Sequence, residues 1–228
     1  MLATASTWLA ETLAVFAKEW RCEFRTRYAL NTLALFAVTT LVVVSIGLGP
    51  LGARTVESGT VLPVLLWIIL LFAVTAGLPR SFIYEEETHT ATALRLAATP
   101  SALFCGKLLY GVTLVAALEV LVTPLYLAMM QLKVASSGLL VLTLLSGGYG
   151  LAAAGTLIAA IIAQARGKGT LFAVLALPIF LPLLVLAIEG TRFAVAGDAG
   201  GMVLRQLLLY DGTVTVAGLM LFPVIWNP

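Results

Sequence analysis

Long apolar stretches separated by short polar segments are the main pattern along this 228-residue chain. Six of them approach or exceed the length that crosses a hydrocarbon core about 30 Å thick as a helix. They occupy residues 30–48, 61–78, 108–130, 139–163, 171–188 and 212–226. The alternating segments of a membrane barrel are missing, and a lipid-embedded helix hydrogen-bonds its own backbone. The pattern therefore predicts an all-α polytopic membrane protein with six transmembrane helices.

The sixth of these spans has the least certain start. It is short unless it begins near Val203, which would place Asp211 inside the membrane. An ionised carboxylate is costly there. We therefore interpret residues 205–210 as an interfacial segment that leads into a span beginning at Gly212.

The segment before the first span, about residues 5–28, has an amphipathic helical period. One narrow stripe is apolar and rich in aromatic residues, and the opposite side is basic. The stripe consists of Leu9, Leu13, Phe16, Trp20 and Phe24, and the basic side of Lys18, Arg21 and Arg25. This arrangement is typical of a helix that lies in the membrane interface. The helix is either a simple topology anchor or a positioned gating or docking helix.

Composition and charge exclude a soluble domain. The chain is 61% hydrophobic and 11% charged, so its few charges could not cover a soluble surface, and we expect one transmembrane domain over residues 1–228. A net charge of +2 without a basic tract gives no indication of nucleic-acid binding. Nine of the 13 Lys and Arg residues fall on the side of the N-terminus, which predicts that both termini are cytoplasmic.

The search for catalytic chemistry gives negative results. His89 is the only histidine and has no cysteine near it in the sequence, so no metal site, haem ligation or histidine-activated nucleophile is predicted. The segment around Lys168 lacks the glycine spacing of a phosphate-binding loop. We expect no catalytic residue, no directly bound cofactor and no ATP hydrolysis by this chain alone.

Glu119 lies in the middle third of the third predicted span. A charge at such a depth costs about 2.5–3.5 kcal/mol on the lenient insertion scale. Its side chain should face the bundle or a water-filled cleft. It could line a transport route or couple movement, or it could make a structural hydrogen bond to a neighbouring helix.

The segment between the second and third spans is the longest loop on the predicted cytoplasmic side. Three acids, Glu85, Glu86 and Glu87, precede Leu94 and Leu96, and helix-forming residues continue up to Pro100. The pattern predicts a short helix, which serves either as a docking element for a soluble partner or as a solvated connector.

Motifs in this loop and elsewhere resemble a known family. The loop carries Phe82-x-x-Glu85-Glu86, Ala93-Leu94-x-Leu96 and Thr99-Pro100; further matches are Lys18-Glu19-x-Arg21-x-Glu23-x-Arg25, Ile46-Gly47-Leu48-Gly49-Pro50 and Leu177-Pro178-Ile179-Phe180-Leu181-Pro182-Leu183. The chain resembles type-2 ABC transporter permeases and, more narrowly, the haem exporter protein B family of cytochrome c maturation, over roughly residues 16–190.

The resemblance implies a permease subunit in the bacterial cytoplasmic membrane. Its coupling helix would fall at about 85–97, and the residues of the coupling loop would be Arg80, Phe82, Glu85, Glu86, Glu87, Leu94, Leu96 and Pro100. The amphipathic segment, with Phe16, Lys18, Trp20, Arg21 and Arg25, would be the connecting helix of the family.

The resemblance also implies partners and a cargo. They are an ATP-binding subunit that holds ATP and Mg²⁺, a haem-handling membrane subunit, a periplasmic haem chaperone and a second copy of the chain, with haem as cargo. It leaves open whether haem crosses this subunit or ATP drives release of the loaded chaperone. Two alternatives are a permease of the same fold that exports a lipid, polysaccharide or drug, and a proton-coupled carrier in which Glu119 titrates.

Overall fold

The computed structural model describes residues 2–52, 58–88, 90–163 and 170–226, and every regular element in these ranges is an α-helix. The helices are α1 (Leu2–Thr26), α2 (Tyr28–Gly52), α3 (Ser58–Gly77), α4 (Arg80–Glu87), α5 (Ala91–Ala97), α6 (Pro100–Met130), α7 (Ser137–Ala163), α8 (Thr170–Ala196) and α9 (Gly201–Trp226).

Six membrane spans run along these helices, within the described part of the chain. They cover Tyr28–Leu48, Gly59–Glu85, Pro100–Met130, Ser137–Ala163, Ala176–Ala196 and Gly201–Trp226. The second span continues from α3 into α4 across a short turn at Leu78 and Pro79. The predicted all-α polytopic membrane fold with six transmembrane helices is confirmed, and the chain is a multi-pass membrane protein.

Helix α7 lies at the centre of the bundle because its small residues admit neighbours on all sides. An added Cβ on Gly147 would overlap the Trp67 ring of α3, and one on Gly148 would lie 2.8 Å from Cδ of Glu119 in α6. One on Gly150 would lie 2.6 Å from a methyl group of Leu183 in α8. Small residues allow this close helix approach in lipid. Three glycines within one turn of α7 therefore receive side chains from three different helices.

Helix α9 differs from the prediction. The structure joins residues 205–210 and the predicted sixth span into one helix that begins at Gly201. Asp211 lies within it and is buried. The hydroxyl of Ser146 in α7 donates a 2.7 Å hydrogen bond to its carboxylate, which offsets part of the cost of burying a carboxyl group.

Helix α6 also begins earlier than the predicted span, at Pro100 rather than residue 108. Proline is well accommodated in the first turn of a helix, where its missing N–H is not needed. Lys107 is consequently part of the helix and not of a loop, and its side chain is only 1% exposed. A lysine this deeply buried requires partners of opposite charge.

Helix α1 packs along the first half of α6. At Gly106 the two backbones approach so closely that an added Cβ would lie 2.7 Å from the Val15 side chain and 2.8 Å from the Thr12 carbonyl oxygen. The buried face of α1 consists of Thr12, Val15, Glu19 and Glu23. The predicted apolar stripe is a different face, and its residues Leu9, Leu13 and Phe24 are exposed.

Candidate functional site

The segment 80–97 forms two helices, so the prediction of a single helix over 85–97 is wrong. Helix α4 ends at Glu87 and α5 begins at Ala91. Two threonines at the break explain the difference. The hydroxyl of Thr88 donates to the Tyr84 carbonyl at 2.7 Å, and it lies 3.0 Å from the hydroxyl of Thr90. Threonine side chains that hydrogen-bond nearby backbone compete with helix continuation.

A cluster of four charges, three of them buried, joins this segment to two other helices. Lys107 Nζ of α6 lies 2.8 Å from Glu19 Oε1 of α1 and 2.9 Å from Glu85 Oε1 of α4. Lys18 Nζ lies 2.9 Å from Glu19 Oε1 and also forms an ion pair with Glu85. Two cations thus balance two carboxylates within contact distance. We call these four residues the ion cluster.

The electrostatics of the ion cluster favour the charged forms of its two α1 residues, Glu19 and Lys18. Burial opposes ionisation of Glu19, but Lys107 and Lys18 outweigh it and lower the pKa of Glu19 to about 2. Burial likewise opposes the charged form of Lys18, and the carboxylates of Glu19 and Glu85 still raise the pKa of Lys18. At neutral pH Glu19 therefore remains a carboxylate and Lys18 an ammonium.

An aromatic cluster links the same segment to the end of α9. Phe82 lies between Lys107 Nζ, at 4.3 Å from its ring centroid, and the rings of Phe222 and Trp226, at 6.2 and 6.4 Å. Phe222 and Trp226 stack at 5.5 Å, and the Arg95 guanidinium of α5 lies 5.2 Å from the Trp226 ring centroid. Both α4 and α5 therefore contact the last turn of the sixth span.

Further hydrogen bonds fasten α1 beside this segment. Glu11 accepts hydrogen bonds from the Thr99 amide at 2.9 Å and the Thr99 hydroxyl at 2.8 Å, which lower the pKa of Glu11. Trp8 Nε1 donates to the Ser101 hydroxyl, and Trp20 Nε1 donates to Thr113 of α6, both at 3.1 Å. Helix α1, the segment 80–97, the start of α6 and the end of α9 thus share one end of the bundle.

The residues predicted from the sequence occupy three kinds of position. Phe82 and Glu85 are buried in the clusters, Leu94, Phe16, Lys18 and Trp20 are partly buried, and Leu96, Arg21 and Arg25 are exposed. Pro100 is the first residue of α6. The side chains of Arg80, Glu86 and Glu87, and all of His89, lie outside the described residues.

Four important residues were missed as site candidates. They are Lys107 and Glu19 in the ion cluster and Phe222 and Trp226 in the aromatic cluster. The sequence does contain an indication of the role of Lys107, because it is the only charged residue between Pro100 and Glu119. Such an isolated lysine beside a span indicates that a carboxylate lies elsewhere in the fold.

Glu119 is buried against α7, with a side chain directed at Gly148. Its Oε1 atom has no hydrogen-bond partner within the described part of the chain. Asp211 of α9, which packs on another face of α7, likewise has an unpartnered Oδ1 within that part, but its Oδ2 accepts a hydrogen bond from the Ser146 hydroxyl. Neither acid belongs to a group of three metal-ligating side chains among the residues described.

A groove of about 490 Å³ separates α1 from α5 beside the ion cluster. Its walls are mainly small or apolar, with Glu11 and Lys18 as the charged lining residues; the lining consists of Thr7, Ala10, Glu11, Ala14, Val15, Lys18, Leu94, Ala97 and Ala98. Leu96 stands next to this lining and is 87% exposed. Its exposure is unusual for a leucine at the end of the bundle that carries the charged residues.

Acid should weaken the attachment of α1. Glu19 has a pKa of about 2 in the fold and an ordinary value of 4.5. The ionised carboxylate therefore stabilises the fold fully above pH 4.5, and this stabilisation is lost as the pH falls towards 2. We expect the Glu19→Gln variant to have a lower melting temperature than wild type at pH 7, and we expect the difference between the two melting temperatures, the gap, to be smaller at pH 3. Thermal unfolding in detergent at both pH values measures this, and an equal gap at both would contradict the assigned ionisation.

The chain is similar in sequence to known proteins along most of its length. The family model described as "CcmB protein" matches residues 10–225. "Heme exporter protein B" of Pseudomonas aeruginosa is 30% identical over 213 residues, which cover 92% of this chain and 91% of the relative. A protein with the same name from Bradyrhizobium diazoefficiens is 29% identical over 164 residues, 72% of each chain. The match to the family model spans nearly the whole chain, including all six spans and the ion cluster, and the chain belongs to the CcmB protein family.

Proposed function

We propose that this chain is the permease subunit of an ABC transporter complex that serves haem delivery in cytochrome c maturation. The family and the printed name of both relatives support haem as the cargo of the complex. The membrane would be the bacterial cytoplasmic membrane, with both termini on the cytoplasmic side, because nine of the 13 basic residues fall on that side.

The observation that carries the proposal is the way the segment 80–97 is mounted. A docking element must present a surface to its partner and must also be fixed to the helices that it moves. Leu96 supplies exposed apolar surface, while Phe82 and Glu85 are buried in the two clusters. A force applied to α4 would therefore reach α1 and α6 through Glu85 and the ion cluster, and a force applied to α5 would reach α9 through Arg95 and Trp226.

In this scheme ATP hydrolysis belongs to a separate ATP-binding subunit, which would hold ATP and Mg²⁺ and dock on α4 and α5. The chain has no phosphate-binding loop of its own. It also offers little to ligate haem iron, since His89 is its one histidine. We therefore favour a role in which ATP drives release of the haem-loaded periplasmic chaperone, with a haem-handling membrane subunit holding the iron. A second copy of the chain could complete the complex.

A charge at the exposed leucine of α5 should uncouple the complex without unfolding it. The Leu96→Glu variant places a carboxylate on the apolar docking surface. Because Leu96 is exposed, its replacement removes no buried contacts. We expect at least tenfold less ATP-binding subunit to co-purify, equivalent to about 1.4 kcal/mol. In a deletion strain carrying this variant, staining for covalent haem should show a corresponding loss of c-type cytochromes.

Two controls accompany that experiment. Leu96→Met keeps the surface apolar and should restore both signals, whereas Lys133→Glu places a carboxylate at an exposed position at the other end of α6 and should change neither. Normal c-type cytochromes in the deletion strain itself would refute the proposed function. Full co-purification with Leu96→Glu would refute the docking surface alone.

A further inference from the structure

Helix α1 separates its charged side chains by sign. Its two buried acids face the bundle and are engaged there, Glu19 with the two lysines of the ion cluster and Glu23 with two donors, whereas Glu11 accepts hydrogen bonds from Thr99 at the groove. The Tyr110 hydroxyl donates to Glu23 at 3.2 Å, and the Leu30 amide donates to it at 2.8 Å. Near the C-terminal end of α1, therefore, no acid is left on the outer surface beside the arginines.

The arginines lie on the outside. Arg21 and Arg25 of α1, and Arg27 directly after it, are exposed and have no carboxylate partner among the described residues. Lys18 differs from them because Glu19 and Glu85 already hold it. The outer surface therefore carries three positive charges within seven residues. A guanidinium prefers a planar carboxylate or phosphate partner that can accept two hydrogen bonds.

The position of these arginines relative to the membrane follows from the chain path. The first span begins at Tyr28, immediately after Arg27, which turns the chain out of α1 with a φ of 51°. Arg25 and Arg27 thus lie within one turn of the point where the chain enters the hydrocarbon. This is the level of the lipid headgroups.

The apolar stripe of α1 supports the same placement. Leu9, Leu13 and Phe24 expose 53%, 57% and 64% of their surfaces, while a different face of α1 packs against α6. Arg21 is three residues before Phe24 and so lies on a neighbouring part of the helix surface. An exposed apolar stripe bordered by arginines fits a helix that inserts the stripe among acyl chains.

We propose that the outer face of α1 binds an anionic phospholipid, with Arg21, Arg25 and Arg27 contacting its phosphate group. The headgroup supplies the negatively charged partner that the described part of the chain does not offer to these arginines. The acyl chains cover Leu9, Leu13 and Phe24. An acidic protein surface would satisfy the arginines but would leave this stripe uncovered. The lipid accounts for both features.

Native mass spectrometry of the full-length protein in a non-ionic detergent tests the proposal. Phosphatidylglycerol and phosphatidylcholine are titrated separately, and the Kd of the first bound lipid is measured. Wild type should bind phosphatidylglycerol more tightly. Arg21→Gln/Arg25→Gln should weaken that binding by about fivefold for each arginine removed. The phosphatidylcholine Kd should rise much less, because the choline group offsets the charge of its phosphate.

Two matched variants decide between a built site and general charge. Arg21→Lys/Arg25→Lys keeps both charges and should retain most of the preference. Lys133→Gln/Arg205→Gln removes two exposed charges at the other end of the bundle and should leave the preference intact. Equal affinity of wild type for both lipids, or equal losses in both glutamine variants, would overturn the proposal. If Arg21→Gln/Arg25→Gln no longer co-purifies with a protein subunit but binds lipid with unchanged affinity, the proposal is overturned in favour of a protein partner.

Discussion

Replacing Lys107 with methionine should destabilise the protein by about 3–5 kcal/mol, the usual effect of removing one partner from a buried ion pair. Methionine fills a similar volume, but it leaves two buried carboxylates, Glu19 and Glu85, with Lys18 as the one remaining cation of the ion cluster. The variant should melt well below wild type in detergent. Because Lys107 joins α1 to α4, α1 should also become accessible to protease at temperatures where wild type resists.

The matched control and the second variant give this prediction its specificity. Lys133→Met also removes one lysine, from an exposed position, and should change stability by less than about 0.5 kcal/mol. Adding Glu85→Gln to Lys107→Met removes one orphaned carboxylate and should recover part of the loss. If Lys107→Met and Lys133→Met melt together, the buried ion cluster is not a stabilising feature of the fold.

The six spans could be predicted because hydrophobic length is a local property of the sequence. Their ends could not be predicted equally well, because polar residues near the ends are buried by partners that are remote in the chain. Residues 205–210 were separated from the sixth span because of Asp211, but the partner of Asp211 is Ser146, 65 residues earlier. Lys107 was assigned to a loop for the same reason, and its partner Glu19 is 88 residues away.

The buried face of α1 could not be predicted from the sequence for a related reason. Periodicity identifies the most apolar face of a helix, and in a soluble protein that face would be the buried one. In lipid the apolar stripe can remain outside, and the mixed face of Thr12, Val15, Glu19 and Glu23 packs inward. The sequence indicated the loop 80–97 as a candidate docking element, but its division into a buried part and an exposed part depends on contacts with α6 and α9.

Gly147→Leu should destabilise the protein by about 3 kcal/mol, the upper end of the usual cost of overpacking. Even the first added carbon would overlap the Trp67 ring, lying 2.9 Å from one ring carbon and 3.0 Å from another. The ring cannot move aside easily, since Trp67 is fully buried and its Nε1 donates to Thr191 of α8 at 2.9 Å. We expect little folded protein on size-exclusion chromatography.

Gly138 provides the control within the same helix. An added Cβ there meets nothing within 4 Å, so Gly138→Leu should be neutral or slightly stabilising, because leucine favours helix over glycine by up to about 1 kcal/mol. A compensating variant, Gly147→Leu/Trp67→Ala, vacates the space that the leucine needs and should fold better than Gly147→Leu alone. If Gly147→Leu is tolerated as well as Gly138→Leu, α7 does not pack against α3 as the structure shows, and α7 cannot be the centre through which the other helices are held together.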